Sequence, residues 1–198
     1  IAGDRGLAGG YNSNIFKLTT AHMDGKQEKV MTVGKKATEF FQKRGYDVLA
    51  AEESVEKCDY DRTLALANQA MDLYKKGEID ELYICYTEFI SPLTQNPKLM
   101  KILPLAFDKE EVKSKENSGR RARVQYLPSP EAVLSYVIPK YVSGIVYGSV
   151  IESFASEQSA RRNAMKSASD NADEMLSTLE LSYNRARQSS ITQEITEI

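Results

Sequence analysis

The sequence predicts an α/β fold. A parallel or mixed sheet domain over residues 1–128 is followed over residues 129–198 by a helical region, whose main element is a long, protruding C-terminal helix forming half of a coiled coil. Three observations lead there. Up to about residue 128, short apolar runs alternate with segments of helical period, the pattern of strands joined by helices that cover a sheet on both sides. Pro128-Ser-Pro130 then ends that pattern. Beyond it, Ala155 to Ile198 contains neither Pro nor Gly and is rich in Ala, Glu, Gln, Met, Leu and Arg, so local preference favours one unbroken helix.

Taken in order, the glycine-rich run Asp4 to Asn14 is a strand-to-helix turn in which the backbone approaches its neighbours closely. Val30-Met-Thr-Val33 is a compact strand closed by Gly34. Lys35 to Arg44 has helical spacing through Ala37, Phe40 and Phe41 and stops at Gly45. Tyr46 to Ala50 is the next strand, and Asp61 to Lys76 a helix with Leu64, Ala67, Met71 and Tyr74 on one face. Leu82 to Tyr86, apolar on both faces, is expected to be a buried central strand. Lys98 to Leu105 and Ala122 to Leu127 complete the strands. The charged stretch Asp108 to Arg123, with Asn117-Ser-Gly119, is expected to be a mobile hairpin connection.

Ser129 caps a helix whose first residue is Pro130, and Glu131 suits the positive end of its dipole. Pro139 is expected to interrupt or kink this helix, and Gly144 and Gly148 to weaken it. From Lys140 to Ile198 the last element would span ~90 Å at 1.5 Å per residue, too long to lie flat on the domain. Met165, Ala168, Ala172, Met175, Leu179, Tyr183, Ala186 and Ser190 recur every three or four residues, close to a coiled-coil seam. The chain offers no second helix of comparable length, so the seam implies a partner.

Chemistry is harder to find. The glycines at 3, 6, 9 and 10 match neither dinucleotide nor P-loop spacing, and Val33-Gly-Lys-Lys36 is better explained as strand, turn and helix. His22, the sole histidine, lies near no nucleophile pattern. Glu52-Glu53 and Glu110-Glu111 are solvent-type clusters, and Tyr83, Tyr86 and Tyr126 suit strand packing with their hydroxyls at a rim. Cys58 and Cys85 lack metal-ligand spacing and read as reduced thiols. No catalytic residue, cofactor or metal is expected. The 26 basic and 28 acidic residues give a net charge of −2, with no electrostatic case for nucleic acid. No run approaches the ~20 apolar residues of a membrane span, so membrane association would come through partners rather than direct insertion.

Motifs along the whole chain carry a resemblance. Asp4-Arg-Gly-Leu-Ala-Gly-Gly-Tyr-Asn-Ser-Asn14 is similar to a signature of the gamma subunits of rotary (F-type) ATP synthases, with Ala8 where Cys is usual. Gly77-Glu-Ile-Asp80, Tyr86-Thr-Glu-Phe-Ile-Ser91 and Leu103-Pro-Leu105 follow in that family's order. Ser159-Ala-Arg161, Ala164-Met165, Ser169-Asp-Asn-Ala172 and Tyr183 to Ile198 resemble its C-terminal helix. The resemblance implies a Rossmann-like base and a non-catalytic central-stalk rotor, which couples proton- or sodium-driven rotation to ATP synthesis or hydrolysis. Implied partners are alpha and beta subunits, epsilon and the membrane c-ring, at the cytoplasmic face of a bacterial plasma membrane. By the same resemblance Arg187, Gln188, Thr192 and Glu194 contact the alpha/beta ring, Arg161 acts lower on the shaft, and Arg162 departs from a frequent Met. The family's long N-terminal helix, most of its first strand and about a dozen final residues have no counterpart here. Two other classes stay open on the residues alone: a nucleotide-binding α/β enzyme with a helical tail, and a coiled-coil dimerisation protein.

Overall fold

A computed structural model describes residues 1–23, 28–105 and 126–197. After an irregular N-terminal segment come α1 (Tyr11–Met23), β1 (Lys29–Val33), α2 (Lys35–Lys43), β2 (Asp47–Glu52), α3 (Tyr60–Lys75), β3 (Leu82–Phe89), β4 (Gln95–Leu103) and α4 (Pro130–Thr196). The expected hairpin connection at Asp108 to Arg123 and most of the expected strand at Ala122 to Leu127 lie outside the described residues.

β1, α2 and β2 form a parallel βαβ unit with Lys29 opposite Asp47 and Val33 opposite Glu52. Gly34 makes the turn between β1 and α2. Its φ of 100° suits only glycine, and a Cβ there would collide with the Ala2 carbonyl. Phe16 of α1 stacks on Phe40 of α2 with ring centroids 4.0 Å apart, and Phe41 meets Phe16 edge-on. Asp59 caps α3 by accepting from the Arg62 N–H at 3.0 Å, and Gly77, with φ of 72°, releases the chain towards β3.

β3 and β4 pair antiparallel, from Leu82 opposite Leu103 to Phe89 opposite Gln95. The turn between them holds two hydrogen bonds joining Ser91 and Thr94 backbones. Both strands run further than their apolar cores at Leu82 to Tyr86 and from Lys98 indicate, and the added residues close them into a hairpin. β3 is not central by ladder pairing: among the described residues it has a strand neighbour on one side only. Among the described residues the expected parallel or mixed sheet consists of two ladders, one parallel and one antiparallel. The first residues bridge them: the Ile1 amine donates to the Cys85 carbonyl at 2.8 Å, and the Ala2 N–H to the Val33 carbonyl at 2.9 Å. A cavity of about 610 Å³ lies between the ladders, lined by Ile1, Ile15, Val33, Phe41, Ile84 and Cys85 among others.

α4 begins as expected, with the Ser129 side chain accepting from Ala132 N–H at 3.2 Å. The acid of Glu131 lies below its usual pKa, through hydrogen bonds at this helix start. Pro139 does not interrupt the helix, which runs through it without a break for 67 residues, ~100 Å. Proline removes the donor for the Ser135 carbonyl, and Ser135 is exposed, so water can take that bond. The lower part of α4 lies in the core. Val142 packs among Ala67, Met71, Ile84, Tyr86 and Ile102, while Val150 joins Val33, Val55, Cys58 and Leu66. From Met165 to Glu197 every described side chain is exposed.

Candidate functional site: a helix anchored below and unpartnered above

The residues of interest divide by height on α4. At the anchored level the buried face carries polar side chains: Ser149, Ser153, Ser156 and Glu157 are each less than a tenth exposed. Ser153 Oγ accepts from Thr87 N–H at 3.0 Å, and Ser156 Oγ donates to Thr87 carbonyl at 3.1 Å. Tyr11 reaches across to donate its hydroxyl to the Ser153 carbonyl at 3.0 Å. Burial pushes the Tyr11 phenol well above its ordinary range, so it stays a neutral donor.

Arg161 lies at the top of this level. Its guanidinium donates to Glu157 Oε1 at 2.5 Å and to Gln158 Oε1 at 3.3 Å. The Glu157 carboxylate fills the space above Gly3, where a Cβ would come within 2.6 Å of it. Arg161 is therefore paired within α4 at the level of the base, well separated along the chain from the other expected contact residues. Arg187, Gln188, Thr192 and Glu194 are all exposed near the far end, and Thr192 donates to the Gln188 carbonyl within the helix at 2.8 Å. The seam residues Met165, Ala168, Ala172, Met175, Leu179, Tyr183 and Ala186 are likewise exposed, Leu179 by 65%.

The structure extends that seam. Leu134, Val137, Tyr141, Gly144, Gly148, Ile151 and Ala155 are exposed and spaced alternately by three and four residues, continuing the row below Met165. A Cβ on Gly144 or Gly148 would meet nothing within 4 Å. Arg162 occupies one position of this same row and is exposed. The period was present in the sequence, but the glycines read there only as weak helix formers.

The glycine-rich turn serves the base itself. Asp4 accepts from Ser54 Oγ at 2.8 Å and from Val55 N–H at 3.0 Å, and Asn12 Oδ1 accepts from Gly3 N–H at 2.9 Å. His22 lies in the last turn of α1 with its ring 4.5 Å from that of Tyr83. Cys58 is buried beside Thr63, and burial raises its thiol pKa. Among the described residues no group of His, Cys, Asp and Glu has the arrangement of a metal site, and no helix is long and apolar enough to cross a membrane.

A small α/β base gripping the lower part of a very long helix, with the helix's remaining length offered to other chains, defines a stalk-type subunit of a larger assembly. The comparisons with known proteins agree. The family model for ATP synthase matches residues 1–198. The gamma chain of Alkaliphilus metalliredigens ATP synthase is 44% identical over 200 residues, spanning all of this chain and 69% of that one. The "ATP synthase gamma chain, sodium ion specific" of Acetobacterium woodii is 43% identical over 213 residues, with 100% and 70% covered. This chain belongs to the ATP synthase gamma chain family. In fold it matches a chain in the Euglena gracilis mitochondrial ATP synthase with TM-score 0.68 at 19% identity, covering 100% of this chain and 68% of that one. A chain of the Tetrahymena thermophila central stalk and c-ring matches with TM-score 0.64 at 22% identity, covering 85% and 74%.

Proposed function

We propose that this chain is the central-stalk rotor subunit of an F-type ATP synthase. The observation that carries the reading is α4: one continuous helix, held in the base around Val142 to Arg161 and exposed from Met165 upward with an apolar seam. In a member of the gamma family, that is the form of a shaft. A membrane c-ring driven by proton or sodium flow turns the base, residues 1–128, and with it the helical part, residues 129–198. The upper helix turns inside a ring of alternating alpha and beta subunits, and epsilon joins the base. The assembly sits at the cytoplasmic face of a bacterial plasma membrane, attached through its partners.

Chemistry belongs to the beta subunits, and this chain is non-catalytic. It must bind the three catalytic states unequally, since a shaft with equal affinity for each could shift none of them. Arg187, Gln188, Thr192 and Glu194 supply that asymmetry. A guanidinium pairs bidentately with carboxylates, and amide and hydroxyl groups exchange hydrogen bonds at modest cost as the shaft turns. Arg161, lower on the shaft, acts at the level of the base. The test is co-expression of a complete gamma chain carrying this sequence with alpha and beta subunits. Co-purification with multisite ATP hydrolysis supports the reading, whereas a chain that stays apart from them refutes it.

A further inference from the structure

The reading as a rotor requires torque to pass between base and shaft, and the structure shows how α4 is gripped. Apolar burial at Val142 and Val150 resists separation but is non-directional, so it opposes twisting poorly. Directional contacts are concentrated elsewhere, on the edge of β3 that faces away from β4. Cys85, Thr87 and Phe89 present their backbone groups along that edge. The Ile1 amine takes the Cys85 carbonyl. Side chains of α4 take three more: Ser153 the Thr87 N–H, Ser156 the Thr87 carbonyl, and Glu152 Oε1 the Phe89 N–H at 3.2 Å. Three side chains within about one helical turn thereby bond α4 directly to the backbone of β3. Higher up, Asn163 Nδ2 donates to the Pro92 carbonyl at 2.7 Å, tying the β3–β4 turn to the same helix.

We propose that Glu152, Ser153 and Ser156, bonded to the β3 edge at Thr87 and Phe89, are positioning residues that lock the shaft to the base against rotation and so transmit torque. This rests on the rotor reading above. Buried serines are otherwise poor choices on a core-facing helix stripe, where Ala is the better helix former. Here each hydroxyl fixes an angle between two elements. Ser143 supplies the contrast: it is equally buried, but its hydroxyl donates to the Pro139 carbonyl 2.8 Å away inside α4 and crosses no interface.

The test uses the assembled enzyme in sealed vesicles with complete gamma chains: wild type, S153A/S156A, E152A and S143A. Ion pumping is measured against ATP hydrolysis, alongside rotor torsional stiffness in single molecules and amide exchange at Thr87 and Phe89. Removing a bond of ordinary net strength should speed exchange at the amide it protected by ~5- to 10-fold. The account expects this at Thr87 in S153A/S156A and at Phe89 in E152A, with a softer rotor and a lower pumping-to-hydrolysis ratio while hydrolysis persists. S143A, which tests for general loosening of the helix, should match wild type in all readouts. Faster exchange with unchanged stiffness and pumping ratio overturns the proposal, because the bonds then serve stability alone. Unchanged exchange overturns it also, as does S143A behaving like the clamp variants. A wild-type assembly that hydrolyses ATP without pumping overturns the rotor reading itself, and the clamp with it.

Discussion

Val150→Ala tests how the shaft is seated. Val150 is wholly buried among Val33, Val55, Cys58 and Leu66, so it joins α4 to β1 and α3. Truncation to Ala removes two methyl-sized groups at ~0.8 kcal/mol each. The remaining void adds ~1 kcal/mol at ~24 cal/mol per Å³ for a space of ~40 Å³. The sum is a loss of ~2.5 kcal/mol, or ~5–10 °C in Tm for a chain of this length. Its neighbour Ile151 is 49% exposed on the unpartnered row, and its truncation should change stability by no more than ~0.5 kcal/mol. Urea denaturation of the purified chain followed by circular dichroism measures both. A Val150 effect below that of Ile151, or equal effects at the two sites, would refute the assignment of faces on α4.

Three further outcomes are expected. Gly34→Ala should cost ~3 kcal/mol or more, because φ of 100° and the Ala2 carbonyl both exclude a side chain, whereas Gly144→Ala, open and helical, should gain ~1 kcal/mol in the isolated chain. Urea midpoints of opposite sign check the pair. Tyr11→Phe removes the second hydrogen bond to the Ser153 carbonyl and should cost ~1 kcal/mol near neutrality. Burial raises the Tyr11 phenol in the fold above its ordinary value of 10.0, so the folded state holds the proton longer than the unfolded one. Its contribution is complete below pH 10.0 and falls as pH rises above it; Tyr11→Phe should flatten that alkaline decline in stability, and an unchanged slope would contradict the assignment. Finally, the isolated chain should associate through its exposed seam. Met175→Glu with Leu179→Glu should abolish concentration dependence in sedimentation velocity, and association that persists would place the contact elsewhere.

Much of this was legible because the strongest signals are local. The Ser129 cap, the glycine stops at Gly45 and Gly77 and the glycine-free run of helix from Ala155 each depend on neighbours within a few residues. At Pro139 the expected interruption does not occur. Proline costs a helix one donor, but an exposed carbonyl and continued packing at Val142 keep the helix intact. The β3–β4 hairpin was missed because Glu88 and Asn96, polar residues at the strand ends, hid how far the ladder runs. Least legible was the anchored level of α4. Ser153 and Ser156 have the same composition as solvent-facing serines, and only the β3 edge opposite them gives them meaning. The tip residues Arg187, Gln188, Thr192 and Glu194 came into view through family resemblance, since their own spacing is that of any solvated helix face.

The most direct test of coupling is a comparison in sealed vesicles of enzymes carrying the complete gamma chain and a chain cut after Asn184. ATP-driven ion pumping and ATP hydrolysis are recorded on the same preparation. The rotor account predicts that the cut enzyme still assembles, because the base and the level anchoring α4 are untouched, but pumps fewer ions per ATP hydrolysed. An unchanged ratio would contradict the claim that the Arg187 to Glu194 tip couples rotation to the catalytic subunits.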